Sequence, residues 1–82
     1  MLDLAQLRIF VRIGDAGGLS AAARSLGQPK SSVSRALVRL EEEVGATLVE
    51  RSTRALRLTD AGLLLRRHAA RILDDVGEAA HG

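Results

Sequence analysis

The sequence predicts a mainly α fold, and three observations carry that expectation. Of the 82 residues 46% are hydrophobic but only 1% are Phe, Trp or Tyr, Phe10 being the one such residue. A core of Leu, Val, Ile and Ala suits packed helices better than a sandwich of strands. Apolar residues recur at helical spacing over most of the chain. Glycines at Gly17, Gly18, Gly27 and Gly45 break that pattern where helices have to stop.

The length is that of one small domain, near the lower limit at which a single core holds a fold unaided. No cysteine is present, which excludes disulfides and thiolate metal sites and allows a reducing cytosol. The N-terminus alternates apolar residues with Asp3, Arg8, Arg12 and Asp15, unlike a signal peptide or a membrane span. A cytoplasmic location without membrane contact is therefore expected.

The first helix is expected from Asp3 to about Asp15. Leu4, Leu7, Phe10, Val11 and Gly14 share one arc, while Ile9 and Ile13 fall on a different side. A helix apolar over more than one face points to a second subunit. Ala16-Gly17-Gly18 ends it. Ser20 is the expected N-cap of a second helix, with Ala22, Ala23 and Leu26 as its buried side. The alanines permit close approach of another helix, and Gly27 is the expected C-cap.

A third helix starts near Pro29 or Lys30, proline being favoured at the first helical position. Val33, Leu37, Leu40 and Val44 form its core stripe, and Gly45 stops it. Lys30, Ser31, Ser34, Arg35 and Val38 project on the other side. Residues 19–44 thus read as two short helices joined by a tight turn, the N-terminal end of the second free to enter a DNA major groove. Glu41, Glu42 and Glu43 sit badly with the dipole at the C-terminal end of the third helix. One account is that they keep that end away from phosphate.

After Gly45 the pattern changes to short β-prone runs. Thr47 to Arg51 and Leu56 to Thr59 flank Ser52-Thr53-Arg54-Ala55, which reads as a two-stranded wing with Arg54 near its tip. Such a tip suits phosphate or a minor groove; the alternative is a surface loop with a solvated arginine. Thr59 caps a last helix running to about Ala80, roughly 30 Å long at 1.5 Å per residue. Leu65, Ala69, Ile72 and Val76 form its stripe, widened by Leu63, Leu64 and Leu73. This helix is longer than the domain needs and is expected to pair with a second copy as a homodimer interface. The competing reading, a linker helix exposed only by truncation of the chain, predicts a monomer. The expected architecture is a three-helix core plus a short two-stranded wing over residues 1–58, followed by a linker or dimerisation helix over 59–82.

Net charge is only +2, but its distribution is blocked. Arg24, Lys30, Arg35 and Arg39 have no acid among them, and the three glutamates follow at once. From Arg51 to Arg71 six arginines face the single acid Asp60, and Asp74, Asp75 and Glu78 come after. Basic blocks fenced by acidic ones fit one face made for an anion; the alternative is an ordinary solvated surface.

Leu7-Arg8-Ile9-Phe10, Ala22-Ala23, Leu26-Gly27, Val33-Ser34-Arg35, Leu40 through Gly45, Glu50-Arg51 and Leu58-Thr59-Asp60-Ala61-Gly62 span nearly the whole chain, and with them it resembles the N-terminal domain of LysR-type transcriptional regulators. The resemblance implies a winged helix-turn-helix that binds double-stranded DNA as a dimer, the third helix in the major groove and the wing on the flanking groove. By position, Lys30, Ser31, Ser34 and Arg35 fall where the family reads bases or holds phosphates. Ser20 falls at the phosphate-holding start of the second helix, and Arg54 at the wing. Family members continue into a larger effector-binding domain, and nothing of that kind is expected within these residues. Two departures stand out. Lys30-Ser31 replaces the family's frequent Gln-Pro, exchanging an adenine-type reader for a cation suited to guanine or phosphate. Val49 replaces a usual Phe, which is a packing change.

Arg35 is the expected guanine reader, with a phosphate clamp as the alternative role. Lys30 opposes the helix dipole and is better explained by a nearby anion. Ser31 and Ser34 are short donors suited to phosphate, or simply tolerated on a surface. Arg66, Arg67 and Arg71 are expected on a solvated face. Enzymatic function is not expected: no serine has a base held beside it, and His68 and His81 lack metal-ligand neighbours at useful spacing. No cofactor or metal is called for. The alternative function is a winged-helix protein-interaction module, which has no need of Lys30, Arg35, Arg39 and Arg54 together.

Overall fold

The computed structural model describes residues 3–51 and 56–77. The element order is α1 (Leu4–Ala16), α2 (Leu19–Leu26), α3 (Lys30–Val44), β1 (Val49–Arg51), β2 (Leu56–Leu58) and α4 (Asp60–Asp75). Helix α1 packs against α2, α3 and α4, and α2 packs against α3. One core is shared by all four helices and the first strand, with Leu7, Phe10, Ile13, Ala22, Val33, Leu37, Leu40, Leu48 and Ala69 at its centre.

Asp3 starts α1 by accepting a hydrogen bond from the Ala5 N–H at 2.9 Å. The buried arc is Leu7, Phe10 and Ile13, whereas Leu4 is 41% exposed. This corrects the expected arc, since Ile13 belongs to the core. The broad apolar surface of α1 is covered by three helices of its own chain, so it needs no second subunit to bury it.

Helix α2 starts two residues earlier than expected. Gly18, in extended backbone, holds the N-cap position without a side-chain bond, and its carbonyl accepts from the Ala22 N–H at 3.1 Å. Ser20 is therefore exposed inside the first turn rather than capping it. Gly27, at φ +66°, supplies the left-handed turn that reverses the chain into α3, a conformation L side chains rarely adopt. The Gln28 N–H closes the turn onto the Ala23 carbonyl at 3.0 Å.

Val33, Leu37 and Leu40 of α3 are fully buried, while Val44 in the last turn is 36% exposed and lies outside the core stripe. Strands β1 and β2 pair antiparallel, with Val49 opposite Leu58, Glu50 opposite Arg57 and Arg51 opposite Leu56. The expected wing is thus present at its base; its tip, including Arg54, lies outside the described residues. Leu48 and Val49 tie the wing into the core.

The joint between wing and α4 accounts for the run Leu58-Thr59-Asp60-Ala61-Gly62. Thr59 Oγ1 accepts from the Gly62 N–H at 3.0 Å and donates to the Thr47 carbonyl at 2.6 Å. The Thr59 N–H also donates to the Leu48 carbonyl at 3.0 Å. Gly62 lies so close to that carbonyl that a Cβ would collide with it.

Helix α4 ends at Asp75 rather than near Ala80, because Gly77 takes φ +81°. Its 16 residues span about 24 Å. The expected pairing stripe is covered over its first half and open over its second. Ala69 is buried in the core of its own chain and Leu65 packs against that core, whereas Ile72 is 38% and Val76 53% exposed. Leu73 is buried with the inward residues. The expected boundary after Leu58 is accordingly no break in packing, as α4 completes the core.

Candidate nucleic-acid interface

Four helix starts divide into two kinds. Asp3 caps α1 and Thr59 caps α4 through their side chains, but α2 and α3 begin at Gly18 and Pro29 with no side-chain cap. The first N–H groups of any helix lack intrahelical partners, and the dipole makes that end electropositive. The two uncapped starts belong to the two helices of the helix-turn-helix. Each carries polar residues in its first turn: Ser20 on α2, Lys30 and Ser31 on α3.

The inward face of α3 fixes what its outward face presents. With Val33, Leu37 and Leu40 at almost zero exposure, the helix cannot rotate without losing three core side chains. Ser31 and Arg35 are exposed on the opposite arc, Ser34 is half-buried beside them, and Lys30 is exposed at the helix start, in the first turn. Val38 lies on the same arc and Arg39 at its edge, both exposed. Of the expected contact residues, Ser31, Ser34 and Arg35 therefore share one surface, with Lys30 exposed at the N-terminal end of the same helix. Ser20 is exposed on the neighbouring helix, and Arg54 lies outside the described residues. The arc is cationic at its N-terminal half and turns acidic only at Glu42.

Two residues have roles that the sequence reading did not give them. The Glu41 carboxylate accepts from the N–H groups of Leu48, at 2.8 Å, and Val49, at 3.3 Å. Glu41 thereby fixes the start of β1 against the end of α3, a local role that its poor fit to the helix dipole does not suggest. Its signal is the short span from Glu41, across the Gly45 turn, to a strand whose first N–H groups have no ladder partner. Arg66 forms an ion pair with Asp15, tying α4 to the end of α1, so it is not simply part of a solvated face. Arg67 and Arg71 are exposed, as is His68.

A second surface runs along α4. Leu64, His68, Ile72 and Val76 follow one another at four-residue spacing, all exposed, and Leu63 lies beside them at 51% exposure. Among the described residues no group of three or more His, Asp or Glu side chains is arranged to hold a metal ion. No described helix is long and apolar enough to cross a membrane.

Comparison with known proteins agrees with this geometry. The family model of bacterial regulatory helix-turn-helix proteins of the lysR family matches residues 4–63. The probable HTH-type transcriptional regulator LtrA of Klebsiella pneumoniae is 46% identical over 76 residues, 93% of this chain and 25% of the relative. An HTH-type transcriptional regulator of Xanthomonas campestris pv. campestris is 44% identical over 77 residues, 94% of this chain and 22% of the relative. The chain thus spans about a quarter of the length of the curated relatives it matches. Among solved structures, a complex of the BenM DBD with catB site 1 DNA superposes with a TM-score of 0.90 at 30% identity, covering 98% of this chain and 89% of that one. A CbnR DBD–DNA complex gives 0.90 at 34% identity, covering 98% and 92%. Full-length CbnR, a LysR family transcriptional regulator, gives 0.89 at 34% identity, covering 98% of this chain and 28% of that chain. The chain belongs to the lysR family of bacterial regulatory helix-turn-helix proteins.

Proposed function

We propose that this chain is the DNA-reading module of a transcription regulator, binding sequence-specific double-stranded DNA as a dimer. The observation that carries this is the outward arc of α3, where Ser31, Ser34 and Arg35 stand on a helix locked by its buried opposite face, with Lys30 exposed at its start. The likeness to DNA-binding domains solved on DNA supports the same reading.

In this reading α3 enters the major groove with its uncapped start toward the backbone. Arg35 presents its guanidinium fork to guanine O6 and N7. Lys30, Ser31 and the first N–H groups of α3 hold phosphate, and Ser20 does so at the start of α2. The wing, with Arg54, lies on the flanking groove. The exposed residues of α4, Ile72 and Val76 with Leu64, pair two copies, so that the site read has two-fold symmetry. The inward residues Leu65 and Ala69 position that face without forming it. The module binds rather than catalyses, and acts on DNA in the bacterial cytoplasm; any small-molecule response belongs to parts of the relatives beyond the span they share with this chain.

Selection of bound duplexes from a random DNA pool tests the proposal. Enrichment of a two-fold symmetric sequence is expected. Arg35→Ala should relax preference at one position per half-site by about 1–3 kcal/mol. Arg54→Ala should instead weaken binding to all sequences and reduce the salt slope by about 0.9 per lost phosphate contact. Binding without enrichment, or equal effects of both variants at every sequence, contradicts the assignment. No binding at all favours a protein-interaction module.

A further inference from the structure

Val38 is 44% exposed, the most exposed large apolar side chain on α3. It stands three residues beyond Arg35, four beyond Ser34 and seven beyond Ser31, so all share one helix face. At about 100° per residue it projects between Ser34 and Ser31, in the middle of the outward arc. It stays largely open among the described residues, whereas Val33, Leu37 and Leu40 on the opposite side of α3 are fully packed. Its β-branched side chain is stiff at χ1, so its two methyl groups are held in a fixed direction.

Polar groups in the same arc suit phosphates and base edges, whereas a valine suits neither. In a major groove the one apolar group a base pair presents is the C5 methyl of thymine. Val38 lies about 4.5 Å along the helix from Arg35, and a base-pair step is about 3.4 Å. Resting on the DNA-reading assignment above, we propose that Val38 is a specificity-determining residue that contacts a thymine methyl in the base pair next to the one Arg35 meets. The module then reads each half-site by a charged fork and an adjacent apolar contact, and Val38 selects T over C where Arg35 selects G.

The test uses the duplex selected by the wild-type chain, with each thymine replaced in turn by deoxyuracil. That replacement removes only the C5 methyl. One position per half-site is expected to lose affinity by about fourfold with the wild type, as for one buried methyl-sized group. Val38→Ser should bind the thymine and uracil duplexes equally, with an unchanged melting temperature because the side chain is exposed. Retained discrimination in Val38→Ser, or no responsive position in the wild type, overturns the inference while leaving DNA reading intact. Failure of the wild type to bind any duplex instead removes the DNA-reading assignment, and this inference with it.

Discussion

Helices α3 and α4 bury one face each in the same core, yet they differ at their starts and on their outward faces. Thr59 caps α4 and is itself bound to the Thr47 carbonyl, and the outward stripe of α4 is Leu64, His68, Ile72 and Val76. Helix α3 starts with no side-chain cap and carries Lys30, Ser31, Ser34 and Arg35 outward. The comparison separates what the fold needs from what it offers. A closed start and an apolar outer stripe fit a second protein copy; an open start and a cationic arc fit a polyanion.

The largest effect is expected where inward and outward residues of α4 are exchanged for the same charge. Ala69→Asp puts a carboxylate into a dry core and should cost more than about 3 kcal/mol, abolishing cooperative unfolding in a denaturant titration. Ile72→Asp, three residues away, should keep the monomer's fold and abolish only pairing, as seen by sedimentation. Equal loss of stability in both would erase the distinction between the two faces.

Glu41 lies between the two helices in this respect, since it is on α3 but holds β1. Glu41→Ala leaves the part-buried Leu48 N–H without its acceptor and should cost about 1.5–3 kcal/mol in thermal or chemical unfolding. A cost below about 0.5 kcal/mol, within the range of ordinary surface substitutions, would show that the strand does not depend on this bond.

The smallest change in stability sharpens the contrast between closed and open starts. Gly18 has extended backbone and open space around its Cβ direction, so Gly18→Asp is sterically free and adds a side-chain cap to α2. It should raise stability by about 0.5 kcal/mol, from the cap and the dipole. The same substitution should weaken DNA binding, because its carboxylate occupies the place proposed for phosphate. A variant that gains stability without losing affinity would remove α2 from the interface.

Much of this was legible in the sequence because periodicity records burial directly. Val33, Leu37 and Leu40 are the core of α3, Gly27 makes the turn, and Thr59 caps α4, all as their positions predict. What was missed depends on which neighbours a helix finds. The side of Ile13 became inward only because α1 is covered by three helices. The α4 stripe is covered at Leu65 and Ala69 but open at Ile72 and Val76, because a regular apolar stripe does not show how much of its length the chain itself will cover. Ser20 reads as an ideal cap, yet the chain reversal at Gly17 and Gly18 starts α2 before it. The tie from Glu41 to Leu48 and Val49 crosses the Gly45 turn, and periodicity within α3 alone does not show it. In the interface, the exposed arc of α3 followed from its buried stripe, while the absence of side-chain caps on α2 and α3 became visible only in three dimensions.

The central claim is that α3 faces DNA while the outward side of α4 faces a second copy. Counting chains on the selected duplex by native mass spectrometry tests it most directly, comparing the wild type with Ile72→Asp. Two wild-type chains per duplex are predicted, with the variant binding as single chains at much weaker affinity. One wild-type chain bound at full affinity, or two variant chains bound as tightly as the wild type, would contradict the account.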